Sequence, residues 1–500
     1  MNSTKSLPKR NGKVSSSEAL LDFDLLHHLT YLSAVSAAGV GRSQLFDLAS
    51  KLPLCTSHYF GDIQDVAKNM NYEYAEACRI VGETTKQEEV QSLLLRLAAA
   101  LASGEPEMDF LNTEAQVQGE IYSNSFERKL DSLRKWTDGY SALVISAALI
   151  VVIAIISTMI YDLGMPTLIT LIVVTILVSA FGAWIIHIAT PKEVKPLAGP
   201  SAGVSDKLPR LLFALTVPAV LAATAVMTVL HVRAGWILLV DAAMLFPLGV
   251  VASRYDAIIT ARDRDLPTFL RVLGSTASSL GTTLGEVMGR IDLRSIPHLA
   301  PFIKRLHARL RAQVDPELCW QYFVAETGSE LVGRSVRVFL DGVRMGGDAG
   351  EVSTRASVLA MKLNLLRAKR RIVATTFGWL TVILHSTLAF LLIFITEIVG
   401  GFGKMIESVA ASTGNQAGGV SAISSAFSFN FQNVAIFQWL VMPIAICLSV
   451  INAAASHVAD GGYFHKFWFH LSLMLMATAA AALIAPEFMK MIFKSSTIPP

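Results

Sequence analysis

The chain has 500 residues, 53% of them hydrophobic and 16% charged, and its mean hydropathy is +0.50. That balance excludes an ordinary soluble globular protein of this length. A net charge of +3 is too small for a nucleic-acid-binding protein, so where the lysines and arginines fall matters more than their sum.

Residues 1–22 are polar and basic (Lys5, Lys9, Arg10, Lys13) and lack hydrophobic periodicity, which predicts a disordered tail. No short apolar core with a cleavage site follows, so no signal peptide is expected. From 23 to 138 apolar residues recur at helical spacing, as in Leu25, Leu29, Leu32 and Val35, and this predicts a first helical domain. Ser141 to Tyr161 and Pro166 to Ala189 are each long enough to cross a ~30 Å hydrocarbon layer as helices, and they form a transmembrane hairpin over 141–189. A linker over 190–207 leads to a transmembrane pair over 208–252, the second member of which carries Asp241.

Polar helical sequence returns over 253–372, predicting a second helical domain. A span over 373–399, a Gly-, Ser- and Asn-rich loop over 400–433, two spans over 434–488 and a tail over 489–500 complete the chain. The expected fold is therefore an all-α integral membrane protein with two helical-bundle cytoplasmic domains and about seven transmembrane helices. Cys55, Cys78, Cys319 and Cys447 are far apart and form no C-x-x-C pair, so they read as reduced, buried small residues.

Lysine and arginine near span ends stay on the cytoplasmic side. With the N-terminus inside, Arg128, Lys129, Arg134, Lys135, Lys192, Lys195, Lys207, Arg254, Arg262, Arg264, Arg367, Lys369, Arg370 and Arg371 are all cytoplasmic, which predicts a multi-pass protein of the cell membrane. Arg233 and Lys404 face outward. Lys490 and Lys494 run against the rule.

A direct repeat is the most informative pattern. The segment Ser36 to Phe46 matches Ser278 to Met288 in character, so that Gly39 falls on Gly281 at an offset of 242. The same offset carries Leu97 to Gly104 onto Phe339 to Gly346. In both copies a helix runs into glycine, which accepts the left-handed backbone that ends a helix, and another helix follows. Gly39, Gly104, Gly281, Gly346 and Gly347 are the expected turns.

The runs Asp265-Leu266-Pro267-Thr268-Phe269-Leu270-Arg271, Leu280-Gly281-Thr282-Thr283-Leu284 and Gly346-Gly347-Asp348-Ala349-Gly350-Glu351-Val352 resemble the type II secretion F-protein family. The resemblance extends over most of the chain from about residue 25. It is closest in type to archaeal members with two such domains, the membrane platforms of the archaellum or of an adhesive pilus. The first copy departs from the pattern, with Asp22-Phe23-Asp24-Leu25-Leu26 and Gly104-Glu105-Pro106 in the matching places. The resemblance implies a non-catalytic platform without cofactors. Its implied partners are a cytoplasmic hexameric secretion-type ATPase, pilin or archaellin subunits and membrane lipid, with a homodimer left open and no nucleic acid.

Three further features have two readings each. The basic run Arg367, Lys369, Arg370 and Arg371 is a candidate ATPase contact, or only the product of the positive-inside rule. Asp241, costly near the middle of a span, receives the cationic N-terminus of a processed pilin or pairs with His385 or Asn452. Parallel repeats also occur in secondary transporters, the alternative function, but those concentrate polarity at the bilayer midplane. No P-loop, G-x-S-x-G or H-E-x-x-H occurs, and the sequence indicates no enzyme and no metal site.

Overall fold

The computed structural model describes residues 20–160, 165–193, 207–412 and 431–496. Most of the basic tail, most of the 190–207 linker and the loop segment 413–430 lie outside the described residues. The chain is all-α: no β-strand occurs among the described residues, and seven helices are long and apolar enough to cross a membrane.

Two compact units result. The first comprises Met1–Glu127, Lys192–Gly203 and Ile259–Leu366, the second Arg128–Pro191, Val204–Ile258 and Arg367–Pro500. The first unit holds both helical bundles. One is built from α1 (Leu21–Ser36), α2 (Arg42–Ser50), α3 (Ser57–Asn69), α4 (Tyr74–Thr84), α5 (Glu88–Ser103) and the start of α6 (Glu107–Ile160). The other is built from the end of α9 (Ala234–Leu280), then α10 (Leu284–Met288), α11 (Ala300–Arg311), α12 (Pro316–Thr327), α13 (Glu330–Arg344) and the start of α14 (Ala349–Ser412).

The helices keep the sequence repeat in register. α2 starts at Arg42 and α10 at Leu284, α4 at Tyr74 and α12 at Pro316, α5 at Glu88 and α13 at Glu330, α6 at Glu107 and α14 at Ala349, each pair 242 residues apart. Gly39, Gly104, Gly281 and Gly346 all take left-handed backbone, with φ of +68°, +77°, +58° and +97°. An L side chain there would crowd the following carbonyl, so these four glycines end their helices. Gly347 is not one of these turns. It needs space instead: a Cβ there would sit 3.0 Å from the carbonyl of Gly342 and 3.0 Å from Val352.

The leucine stripe of α1 suggested one buried face, yet every residue from Phe23 to Ser36 is buried. The other side of α1 lies against α13 of the second bundle. A helix enclosed all round must satisfy its polar groups internally, and α1 carries Asp24, His27, His28, Thr30, Tyr31, Ser33 and Ser36.

The second unit contains the rest of α6, α9 and α14 together with α7 (Met165–Ala189), α8 (Lys207–Val229), α15 (Phe431–Asp460) and α16 (Phe467–Ser496). Leu238, Ala242 and Leu245 of α9, Ala453 of α15, and Leu471, Met474, Leu475 and Ala479 of α16 form its core. Gly249 lets α9 lie against α16 closely enough that a Cβ would fall on the backbone of Phe469. The apolar window of α8 buries none of its residues, so that helix presents its hydrocarbon surface outward.

Two expectations need correction. The segment expected as loop from 400 starts as helix, because α14, which carries the 373–399 span, continues through Ser412. Gly400, Gly401 and Gly403 each cost about 1 kcal/mol in a helix, but the helix-forming stretch Met405 to Ala411 follows without proline. The cysteines are not uniformly buried. Cys78 and Cys319 are buried, Cys55 is half-buried and Cys447 is exposed on α15.

Candidate functional site

Buried polar chemistry gathers at three places. The first is the seam between the bundles. Arg334 of α13 donates to Asp24 Oδ1 of α1 at 2.6 Å and to Glu330 at 2.8 Å, with its guanidinium 4.7 Å from the centre of the Phe23 ring. Asp24 uses its other oxygen to accept from the backbone N–H of Cys55 at 2.9 Å. Burial pulls the Arg334 ionisation down, but Asp24 and Glu330 outweigh it and hold it above the ordinary arginine value.

Two turns further on, the Tyr31 hydroxyl donates to Asp341 at 3.1 Å, and Arg355 donates to the carbonyl of Ser33. Burial raises both the Tyr31 hydroxyl and the Asp341 carboxyl above their usual values, the latter against the pull of the Tyr31 hydrogen bond and of Arg337 and Arg344. His28 stacks on Phe60 at 4.1 Å and shares a 2.8 Å hydrogen bond with Thr56, while burial pushes it down to about 3. His27 is also held well below its ordinary value, by burial first and then by Arg334. Both imidazoles are therefore neutral at pH 7.

The second place is a node in the second unit. The guanidinium of Arg370 donates to three backbone carbonyls: Nε to Ala459 at 3.1 Å, Nη1 to Pro191 at 3.0 Å and Nη2 to Val458 at 3.1 Å. Beside it, Lys466 lies 3.5 Å from Asp256 and is paired with Asp460. His457 is within electrostatic reach of Asp460, Lys466, Asp256 and Arg370. Gly461, with φ of +61°, ends α15 here, and a Cβ on it would occupy the space of the Arg370 guanidinium.

The node joins the ends of α7 and α15, the polar continuation of the α9 span, and the starts of the α14 and α16 spans. Those five ends share one side of the unit, as alternating crossings require. The node takes in part of the basic run. Arg370 is only 3% exposed and Arg367 only 8%, whereas Lys369 and Arg371 are exposed. Residues 367 and 370 lie three apart and share the inward face of α14, while 369 and 371 fall on other faces.

The third place is a hydrogen-bond chain among four spans. The Tyr140 hydroxyl on α6 donates to Asn452 Oδ1 on α15 at 2.5 Å, and Asn452 Nδ2 meets His385 Nδ1 on α14 at 3.0 Å. His385 Nε2 lies 2.9 Å from Thr478 on α16 and 3.0 Å from Ser449. An amide N–H can only donate, so His385 Nδ1 is the acceptor and Nε2 carries the proton. The chain then runs in one direction, ending where Ser449 and Thr478 donate to the carbonyls of Ala445 and Met474.

Asp241 does not belong to that chain. Its carboxyl meets Thr224 of α8, at 2.9 and 3.0 Å, and neither His385 nor Asn452. The reason is the hairpin of α8 and α9, which sets residues 224 and 241 opposite one another while His385 is fully engaged by α15 and α16.

Sequence reasoning missed Asp24, Arg334, Asp256, Gly461 and Lys466. Only Gly461 carried a signal, as part of the Gly-Gly pair after α15. Among the described residues no cluster of histidine, cysteine, aspartate or glutamate could hold a metal ion.

Comparison with known proteins gives two archaeal relatives. The chain is similar to flagella accessory protein J of Methanococcus voltae, 22% identical over 447 residues that cover 87% of this chain and 78% of that protein. It is likewise similar to flagella accessory protein J of Methanocaldococcus jannaschii, 24% identical over 416 residues, covering 79% and 70%. No family model matches the chain, and no solved structure matches it.

Proposed function

We propose that this chain is a non-catalytic membrane platform for assembly of an archaeal type IV pilus-like filament, an archaellum or a pilus, of the kind its resemblance to the secretion F-protein family implies. In this role it couples a cytoplasmic secretion-type ATPase to the insertion of pilin or archaellin subunits. The observation that carries the reading is the similarity to archaeal proteins named flagella accessory protein J over 87% of the chain, in a protein with seven helices long and apolar enough to cross a membrane among its described residues. The positive-inside rule assigns the bundles, the N-terminus and the Arg370 node to the cytoplasm.

The basic contact for the ATPase is then sought on exposed cations. Lys369 and Arg371 remain from the basic run. The segment from α10 through α11 adds more, for residues 284–311 hold six arginines and lysines against two carboxylates, whereas the matching stretch 42–69 of the first bundle has three of each. Arg290, Arg294, Lys304 and Arg311 are exposed on it. An acidic partner surface would be steered there and released by salt.

Affinity purification of the tagged protein from its native membrane tests both parts. Recovery of a secretion-type ATPase and filament subunits, with the ATPase lost on R290E/R311E, supports the platform. Recovery of neither, together with uptake of a solute by reconstituted vesicles, would replace it with the secondary transporter.

A further inference from the structure

A cavity of about 800 Å³ opens along the seam of the two bundles. Its walls are α1, the end of α2 and the turn at 51–54 on one side and α12 and α13 on the other. That volume is in the range of ligand pockets and well beyond a single inorganic ion. Its apolar wall is assembled from both sides, Leu52 and Pro53 of the turn and Val324 and Leu340 of α12 and α13. The rest is the charged stripe of α13, whose members recur every three or four residues and so line up along one face.

The charges of that stripe do not all cancel. Arg334 is committed to Asp24 and Glu330, Asp341 accepts from Tyr31, and Arg344 lies 3.6 Å from Glu317. Arg337 is exposed and makes no hydrogen bond or ion pair among the described residues. His27, at 2% exposure, also lines the cavity, and its Nδ1 is buried without a hydrogen-bond partner. Arg337 therefore presents a guanidinium with no hydrogen-bond partner among the described residues on the wall of the cleft, where a carboxylate could be received.

We propose that this cleft binds a short segment of a partner protein in which an acidic residue adjoins an apolar one, the carboxylate on Arg337 and the apolar side chain against Leu52, Pro53 and Val324. The chain's own N-terminal tail does not fit, since Lys5, Lys9, Arg10 and Lys13 would meet Arg337 with like charge. A carboxylate can take two parallel N–H bonds from a guanidinium, which gives direction as well as attraction. The apolar wall supplies the burial that an exposed ion pair alone does not.

The test uses the full-length protein in detergent and the peptide acetyl-Glu-(4-fluorophenylalanine)-Leu-amide, followed by fluorine NMR line width. Saturable binding is expected, at least tenfold weaker for the same peptide with Gln in place of Glu. Arg337→Gln should weaken it by a similar factor with only a small change in thermal unfolding, because Arg337 makes no hydrogen bond among the described residues and acts on Asp341 only through its charge. Ala325→Phe, which fills the cleft from α12, should also abolish binding. Absence of saturable binding, equal affinity for the Gln peptide, or indifference to both variants would overturn the proposal. Displacement by inorganic phosphate at concentrations equal to the peptide's would also overturn it, by making the cleft a small-ion site.

Discussion

Glu120 and Lys362 occupy the same place in the two helical repeats, 242 residues apart, and they are bonded to each other at 2.7 Å. Equivalent residues of two copies related by a shift would be held apart by that shift. The two copies therefore meet at equivalent positions, where α6 and α14 come together. Cysteines at 120 and 362, in a chain with Cys55, Cys78, Cys319 and Cys447 replaced by Ser, should be joined within one molecule by a short bismaleimide. A product detectable only between molecules would contradict this contact within the chain.

The seam should be intolerant of half-measures. Arg334→Ala leaves Asp24 buried with an uncompensated charge and should cost about 3–5 kcal/mol. Arg334→Met with Asp24→Leu removes both charges and should recover most of that loss. Thermal unfolding of the purified protein in detergent would measure the coupling, and additive single-site losses would show that the pair does not act as a unit.

Two neutral buried histidines make the first bundle sensitive to acid. The folded-state value of His28 lies near 3, below the unfolded value near 6.5, and that of His27 is shifted in the same direction. Between those limits the unfolded chain binds more protons than the native one, so stability is complete above about pH 6.5 and falls as pH drops toward 3. One such histidine contributes a slope of up to about 1.4 kcal/mol per pH unit, and two roughly double it. Unfolding midpoints between pH 7 and 4.5 should fall accordingly, and His28→Gln should flatten the curve. An unchanged curve in that variant would rule out His28 as a source.

At the node, Gly461→Ala meets two objections at once, a left-handed backbone costing about 1–3 kcal/mol and collision with Arg370. It should reduce the yield of folded protein more than Gly461→Asn would relieve, because Asn eases only the backbone. Arg370→Lys should also be poorly tolerated, since one ammonium cannot reach carbonyls on α7 and α15 with the geometry of a planar fork. Normal detergent stability of Arg370→Lys would show that charge alone suffices.

Within the spans, Asn452→Leu should cost about 1–3 kcal/mol, because it orphans both the Tyr140 hydroxyl and His385 Nδ1, whereas Tyr140→Phe should cost about 0.6–1.7 kcal/mol. Double variants at 140 and 452 should be less destabilised than the sum. Strict additivity would mean that the chain of hydrogen bonds is not cooperative.

Much of the helical plan is legible before any coordinates. Apolar runs of about twenty residues and lysine- and arginine-rich flanks mark the spans, and Gly39 and Gly281 reveal the repeat, because hydrocarbon thickness and left-handed backbone each impose a pattern along the chain. The chemistry of the sites is another matter. Arg370 looks like one more cytoplasmic cation until Pro191 and Ala459 come to it from 179 and 89 residues away. Asp241 gave no hint of Thr224, which sits on another helix with ordinary composition around it. The full burial of α1 was hidden for the same reason, since the face left over by its leucine stripe is covered by a helix three hundred residues later.

The Arg370 clamp also sets an order of events during synthesis. When Arg370 leaves the ribosome Pro191 already exists, but Val458 and Ala459 do not, and at about 5–20 residues per second they follow roughly 4–18 s later. Throughout that interval the guanidinium is without its acceptors on α15 at the edge of a newly inserted helix, where phospholipid headgroups are the available substitutes. The last two spans must then displace those lipids to close the bundle. Chains halted before α15 would be held in the bilayer yet left open to quality-control proteases, and mature molecules would carry a guanidinium no longer accessible to lipid.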